Sequence, residues 1–141
     1  TRVDHNTFTA ISPSGVGANL ALIITIDGIV ATSLAEALFS YKAANITSVI
    51  SPPFNGGVIT LIGTDFGSTI NDVDIINVYN ANGCSFECIV LELFLSPSKI
   101  YCQYDQVGSS GVTREIDIIV GGQISAARGS FTYEFDKGEL R

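Results

Sequence analysis

The sequence predicts an all-β protein built as a two-sheet sandwich. Short runs rich in Val, Ile, Phe and Tyr recur along it, set apart by turn clusters such as Asn80-Ala81-Asn82-Gly83, Ser96-Pro97-Ser98 and Gly108-Ser109-Ser110-Gly111. The 14 glycines fall singly or in pairs between those runs, as they do in a many-turned β protein. Hydrophobic residues make up 46% of the 141 and charged residues 15%, which supplies a packed core and is the opposite of a disordered composition.

Asn45 to Val49 reads as a first strand, stopped by Pro52-Pro53. Val58 to Ile62 follows the Gly56-Gly57 turn and ends at Gly63. Val73 to Tyr79, Glu87 to Leu95, Lys99 to Tyr104, Arg114 to Val120 and Ser130 to Phe135 complete the set. Strands of this length and spacing fit one sandwich of about 100 residues. Ser33-Leu34-Ala35-Glu36 has the spacing of a helix capping box. The segment is nevertheless read as a loop running into a strand at Phe39 to Tyr41, because its counterpart Ala126-Ala127-Arg128-Gly129 would break a helix.

That counterpart belongs to an internal repeat. Thr7-Phe8-Thr9-Ala10, Gly15-Val16-Gly17 and Ile23 to Gly28 match Ile100-Tyr101-Cys102-Gln103, Gly108 to Gly111 and Ile116 to Gly121 at an offset of 93. Phe39-Ser40-Tyr41 matches Phe131-Thr132-Tyr133 at 92. Such self-similarity marks tandem units, with a period too long for a solenoid. The expected organisation is therefore the C-terminal half of one unit at 1–43, a complete unit at 44–136, and a tail or the start of a linker at 137–141. The half-unit would expose an apolar face carrying Leu20, Leu22, Ile24, Ile26 and Phe39. Its link to the complete unit, Lys42-Ala43-Ala44, is too short for free swing, so the units should stack end to end.

Seven Lys+Arg against fourteen Asp+Glu give a net charge of −7. Nucleic-acid binding relies on neutralising phosphates with basic residues, so this balance opposes it. No apolar run approaches the roughly 18 residues of a membrane span. Thr1-Arg2-Val3-Asp4 lacks the layout of a signal peptide, and the chain reads as a trimmed segment of a longer repeat protein.

The inventory also opposes catalysis. A Ser-His-Asp arrangement would need His5, the one histidine, which lies outside the complete unit. Gly15-Val16-Gly17 lacks the further residues of a phosphate loop. Glu87 and Glu92 could pair as glycosidase carboxylates, but in an acidic protein such a pair is more often solvated surface. Asp65, Asp72 and Asp74 could gather a calcium ion, but they lack the dense acidic spacing of a dedicated loop. No catalytic residue, metal or cofactor is expected.

Cys84, Cys88 and Cys102 admit buried thiols, a zinc site, or one disulfide with a thiol left over. Three cysteines and one distant histidine make a poor zinc set, and one disulfide plus a spare fits a secreted protein best. Asn45-Ile46-Thr47 is a glycosylation sequon at the unit junction.

The run Pro53-Phe54-Asn55-Gly56-Gly57-Val58-Ile59-Thr60-Leu61-Ile62-Gly63-Thr64-Asp65-Phe66-Gly67 resembles the opening of IPT/TIG domains. Ile100-Tyr101-Cys102 and Phe131-Thr132-Tyr133 fall where that family carries its Ile-x-Cys and closing Phe-x-Tyr motifs. The resemblance covers 44–135 as a unit and 7–43 as a half-unit. It implies an immunoglobulin-like β-sandwich of the E-set type, with Phe66 turned inward as a plug. It also implies a disulfide between Cys88 and Cys102, which leaves Cys84 free or joined to another chain. Thr9 stands where Cys102 stands, so the half-unit lacks this bridge.

Among the family's settings, the tandem repeat, sequon and cysteines favour extracellular receptor and adhesion arrays such as those of social amoebae. The expected function is a non-catalytic module that binds protein partners, homotypic or heterotypic, or spaces a cell-surface rod. Loop residues Tyr79, Asn80, Asn82, Tyr104 and Asp105 are the candidate contacts. The alternative is a filament subunit whose half-unit is completed by strands from a neighbouring chain.

Overall fold

A computed structural model describes residues 1, 4, 6–53, 55–93, 98–106 and 111–133, of which the side chains of Glu92 and Leu93 are not considered. His5, Phe54, the predicted strand ends at Leu95 and Phe135, and the tail at 137–141 lie outside the described residues.

Residues 44–133 form a two-sheet sandwich. One sheet has four antiparallel strands, in the order β3 (Asn45–Ile50), β4 (Gly57–Thr64), β8 (Lys99–Tyr104), β7 (Ile89–Leu93). The other is built on β9 (Thr113–Val120), which pairs with β5 (Val73–Tyr79) on one side and with β10 (Gln123–Ile124) and β11 (Gly129–Thr132) on the other. β6 (Ser85–Glu87) extends that sheet beyond β5.

Period-2 patterning places the core between the sheets. Ile59 and Leu61 of β4, Ile100 and Cys102 of β8, Ile76 and Val78 of β5, and Ile116, Ile118 and Val120 of β9 are all buried. Phe66 is fully buried, as its place in the Asp-Phe-Gly turn predicts. Gly56 and Gly57 take positive φ at the turn into β4, a conformation that side chains disfavour.

Some elements differ from the sequence reading. The strand predicted from Glu87 to Leu95 is two strands in two sheets. The chain crosses between them at Cys88, whose N–H donates to the Ile76 carbonyl at 2.9 Å and whose sulfur bonds to Cys102. β10 was not anticipated, because two residues carry no periodicity; the Gly121–Gly122 turn creates it by folding the chain back on β9.

Among the described residues the N-terminal segment forms two strands. β1 (Ile23–Ile26) and β2 (Ile29–Thr32) make a separate two-stranded sheet, and Leu20 and Phe39 form an isolated bridge. A strand persists only where another strand satisfies its backbone, and little there supplies one. Residues 33–36 are a turn and loop rather than a helix, with the Ala37 N–H donating to the Leu34 carbonyl at 2.9 Å.

The backbone aligns the two similar stretches one residue away from the offset their residues suggest. The β1–β2 turn has positive φ at Asp27 and Gly28, and the β9–β10 turn has it at Gly121 and Gly122, so these turns correspond at an offset of 94. The Leu20–Phe39 bridge then matches the Arg114–Phe131 pair of β9 and β11. One residue matters, since it exchanges the two faces of a strand. At this register Leu22, Ile24 and Ile26 correspond to Ile116, Ile118 and Val120.

Candidate interaction surfaces

Three regions stand out at the surface: the junction ahead of residue 44, the exposed hairpin, and the β5–β6 loop with its neighbouring polar cluster.

At the junction, the Tyr41 N–H donates to the Gly17 carbonyl at 2.8 Å and its hydroxyl to the Pro13 carbonyl at 3.0 Å. Gln123 Nε2 donates to the Tyr41 carbonyl at 3.3 Å, tying β10 to the preceding segment. Val16 packs against the core of the sandwich. A Cβ placed on Gly121 would lie 2.7 Å from the Gly17 nitrogen and 2.7 Å from Val16 Cγ2, so the approach is possible only for glycine. Lys42 and Asp65 add an ion pair at 3.4 Å that is mostly solvated and contributes little. A cleft of about 370 Å³ opens beside it, lined by Ser12 to Gly15, Tyr41, Lys42, Asp65, Gly67 and Ser68.

The hairpin presents an apolar face to solvent. Leu22, Ile24 and Ile26 are 51%, 43% and 51% exposed, whereas Ile116, Ile118 and Val120 are 0%, 0% and 2% exposed. A second cleft, of about 430 Å³, is lined by Phe8, Ile11, Leu22, Ile24, Phe39 and Tyr41 among others.

The predicted contact residues divide. Asn80 organises its own loop: its Oδ1 accepts from the Asn82 and Cys84 amides, both at 3.0 Å. That leaves Asn82 and Cys84 exposed at the tip, with Cys84 a free thiol. Asp105 is exposed as well. Tyr104 is a correction: it is 2% exposed, on an inward position of β8 against Phe131 and Tyr133, and cannot meet a partner. Burial raises its hydroxyl pKa, and burial pushes that of Tyr133 up to about 12.

Tyr79 is half-buried beneath Arg128, whose guanidinium lies 4.3 Å from the ring centroid. Below them sits Asp117, fully buried on the outer side of β9, with Asn77 Nδ2 donating to its Oδ1 at 3.2 Å and the Arg128 guanidinium forming an ion pair with its Oδ2 at 3.6 Å. Arg128 also pairs with Glu115 at 2.8 Å, an interaction that raises its pKa. Hydrogen bonding to Asp117, then burial, holds the Tyr79 hydroxyl above the ordinary phenol range. Sequence reasoning missed this cluster. Its only trace is Asp117 interrupting an apolar run, and Arg128 is contributed from a loop.

The three aspartates weighed for calcium are each engaged locally. Asp65 takes the Thr64 hydroxyl and Lys42, and Asp74 accepts from the Gly122 amide at 2.7 Å. Asp72 accepts from the Ser68 and Thr69 amides at 2.7 and 2.8 Å, which lowers its pKa. Among the described residues no group of three metal-ligating side chains gathers. Glu87 stands exposed on β6, in a different sheet from residue 92 on β7.

Cys88 and Cys102 are joined, bridging the crossover to β8. Asn45 opens β3 half-exposed beside buried Ala44, and the Thr47 hydroxyl of its sequon donates to the Ile62 carbonyl at 3.1 Å.

The fold is that of an immunoglobulin-like β-sandwich. The IPT/TIG domain model matches residues 44–133, and the chain belongs to that family. Such domains are generally non-enzymatic modules that mediate protein–protein interaction. No curated protein matches the chain. No helix among the described residues is long and apolar enough to cross a membrane.

Proposed function

We propose that this chain is a stretch of a tandem IPT/TIG array outside the cell, where it spaces a surface rod and contacts other proteins. Residues 1–43 are the back half of one unit, stacked on a complete unit that starts at residue 44. The observation that carries this reading is the junction, where Gly121 admits Val16 and Gly17 so closely that no side chain fits between. Contact of that kind favours a set orientation over a tethered one, as a rod requires. The Cys88–Cys102 bridge and the Asn45 sequon support an oxidising, glycosylating compartment. The exposed loop residues Asn82 and Asp105 are the contacts for a protein partner.

Secretion from a eukaryotic cell followed by intact-mass analysis, with and without glycosidase, tests the location. Sugar on Asn45 together with an oxidised Cys88–Cys102 pair is the expected outcome. Secreted material with Asn45 bare and the pair reduced would sink the extracellular assignment. The filament reading draws support from the open face of the β1–β2 hairpin. Against it stands the disulfide, which locks the front half of each complete unit to its own β8.

A further inference from the structure

We infer that Asn82 is a second site of N-linked glycosylation, with the free thiol of Cys84 in the place of the usual Ser or Thr hydroxyl. It rests on the extracellular assignment above, because the sugar donor and the transferase that uses it belong to the secretory pathway.

Asn82-Gly83-Cys84 has the form Asn-x-Cys, with no proline at its middle position. Such a triplet works only while its third side chain can hydrogen-bond, so the cysteine must be a thiol. The structure meets that condition: Cys88 and Cys102 are joined to each other, and Cys84 is free and exposed. Asn82 and Gly83 are exposed as well, in the loop between the end of β5 at Tyr79 and the start of β6 at Ser85. Asn80 holds that loop. Its carbonyl accepts from the Gly83 amide at 3.0 Å, its N–H donates to the Cys84 carbonyl at 2.9 Å, and its Oδ1 takes the Asn82 and Cys84 amides. These bonds reach Asn82 and Cys84 through their main chains and leave carboxamide and thiol at the surface. The other sequon is placed differently. Asn45 lies in β3 opposite Thr64 of β4, half-exposed, and the Thr47 hydroxyl already donates to the Ile62 carbonyl. Pairing into a sheet closes that acceptor as the chain folds, whereas the Asn82 loop stays open after the sandwich forms.

The donor class is an oligosaccharide carried on a polyisoprenyl diphosphate. Asn82 Nδ2 bonds to the anomeric carbon, the bond from that carbon to the diphosphate oxygen breaks, and the diphosphate leaves with the electron pair. One amide proton passes to a base, and nothing is oxidised or reduced. A thiol is a weaker hydrogen-bonding group than a hydroxyl, so only part of the chains carry the sugar. Sugar on Asn82 and a protein seated on Asn82 exclude each other. The modified fraction therefore sets how many chains offer this loop for contact.

The full chain and two variants, secreted from a eukaryotic cell, supply the test. An amide-cleaving glycosidase used in heavy-oxygen water turns each glycosylated Asn into labelled Asp. Chymotryptic cleavage after Tyr79 and Phe86 then isolates residues 80–86 for sequencing by mass spectrometry. A parallel digest without the glycosidase subtracts the spontaneous deamidation of the Asn82-Gly83 pair. The expected result is label at residue 82 in part of the parent chains, roughly twofold more or higher in Cys84→Thr, and none in Cys84→Ala. Residue 82 bare in the parent but labelled in Cys84→Thr would overturn the inference, since the transferase would then reach the loop and not use the thiol. Label that persists in Cys84→Ala would overturn it too. Either result, with sugar on Asn45 and an oxidised Cys88–Cys102 pair, leaves the extracellular assignment intact. Residue 82 bare in every variant, together with a bare Asn45 and reduced cysteines, would bring down both.

Discussion

Gly121 and Gly122 form a natural pair for testing the junction, because they share a backbone conformation and differ in surroundings. Their φ angles are +54 and +76, so alanine at either position adopts the left-handed region at a cost of about 1 kcal/mol. A Cβ on Gly122 meets nothing within 4 Å, and Gly122→Ala should lower stability by that amount alone. A Cβ on Gly121 meets the Gly17 backbone and Val16, neither of which can turn aside as the tip of a long side chain could. Gly121→Ala should therefore also part the units. That forfeits the Gln123–Tyr41 hydrogen bond, about 1 kcal/mol, and much of the Val16 burial, about 1 kcal/mol. The expected loss is about 3 kcal/mol for Gly121→Ala against about 1 for Gly122→Ala. Guanidinium titration measures both. Spin labels on Thr32→Cys and Ser130→Cys, in a Cys84→Ser background, measure the spacing of the units. One narrow distance in the parent and in Gly122→Ala, but a broad distribution in Gly121→Ala, is the expected pattern. An unchanged distribution in Gly121→Ala would refute the claim that this contact sets the orientation.

Phe66→Ala empties the plug at one end of the sandwich and should destabilise the complete unit by about 3–5 kcal/mol in chemical denaturation. Replacing Cys88 and Cys102 together by alanine removes a bridge of sequence separation 14, and the unfolding free energy should fall by about 3 kcal/mol, matched by reduction of the parent protein. Tyr133 carries a folded pKa raised to about 12, so its neutral form is favoured by folding. Its contribution is complete below the ordinary phenol pKa of about 10 and is lost as pH rises towards 12. Base-induced unfolding should begin in that window, and Tyr133→Phe should shift it upward. Asp72 has the opposite sign: its lowered pKa gives stability above about pH 4 that is lost on acidification, and Asp72→Asn should flatten that part of the profile.

The sequence by itself determined the sandwich, because period-2 runs bounded by Gly, Pro and Asn are local properties that survive in any context. The inward Phe66 and the apolar face of Leu22, Ile24 and Ile26 were legible there too. Only the tertiary structure decided the rest. Tyr104 reads as a loop contact, but it ends β8 on the same side as Ile100 and Cys102, and what the tertiary structure adds is the packing of Phe131 and Tyr133 over it. The crossover at Cys88 was hidden inside what reads as one continuous strand, because a chain can change sheets without changing its hydrophobicity. The cluster of Tyr79, Asp117 and Arg128 joins residues of β5, β9 and a loop that only their packing brings together. The one-residue shift between the two similar stretches became visible through two turns with matching positive φ, a backbone signature that residue identities, Asp27-Gly28 against Gly121-Gly122, do not reveal.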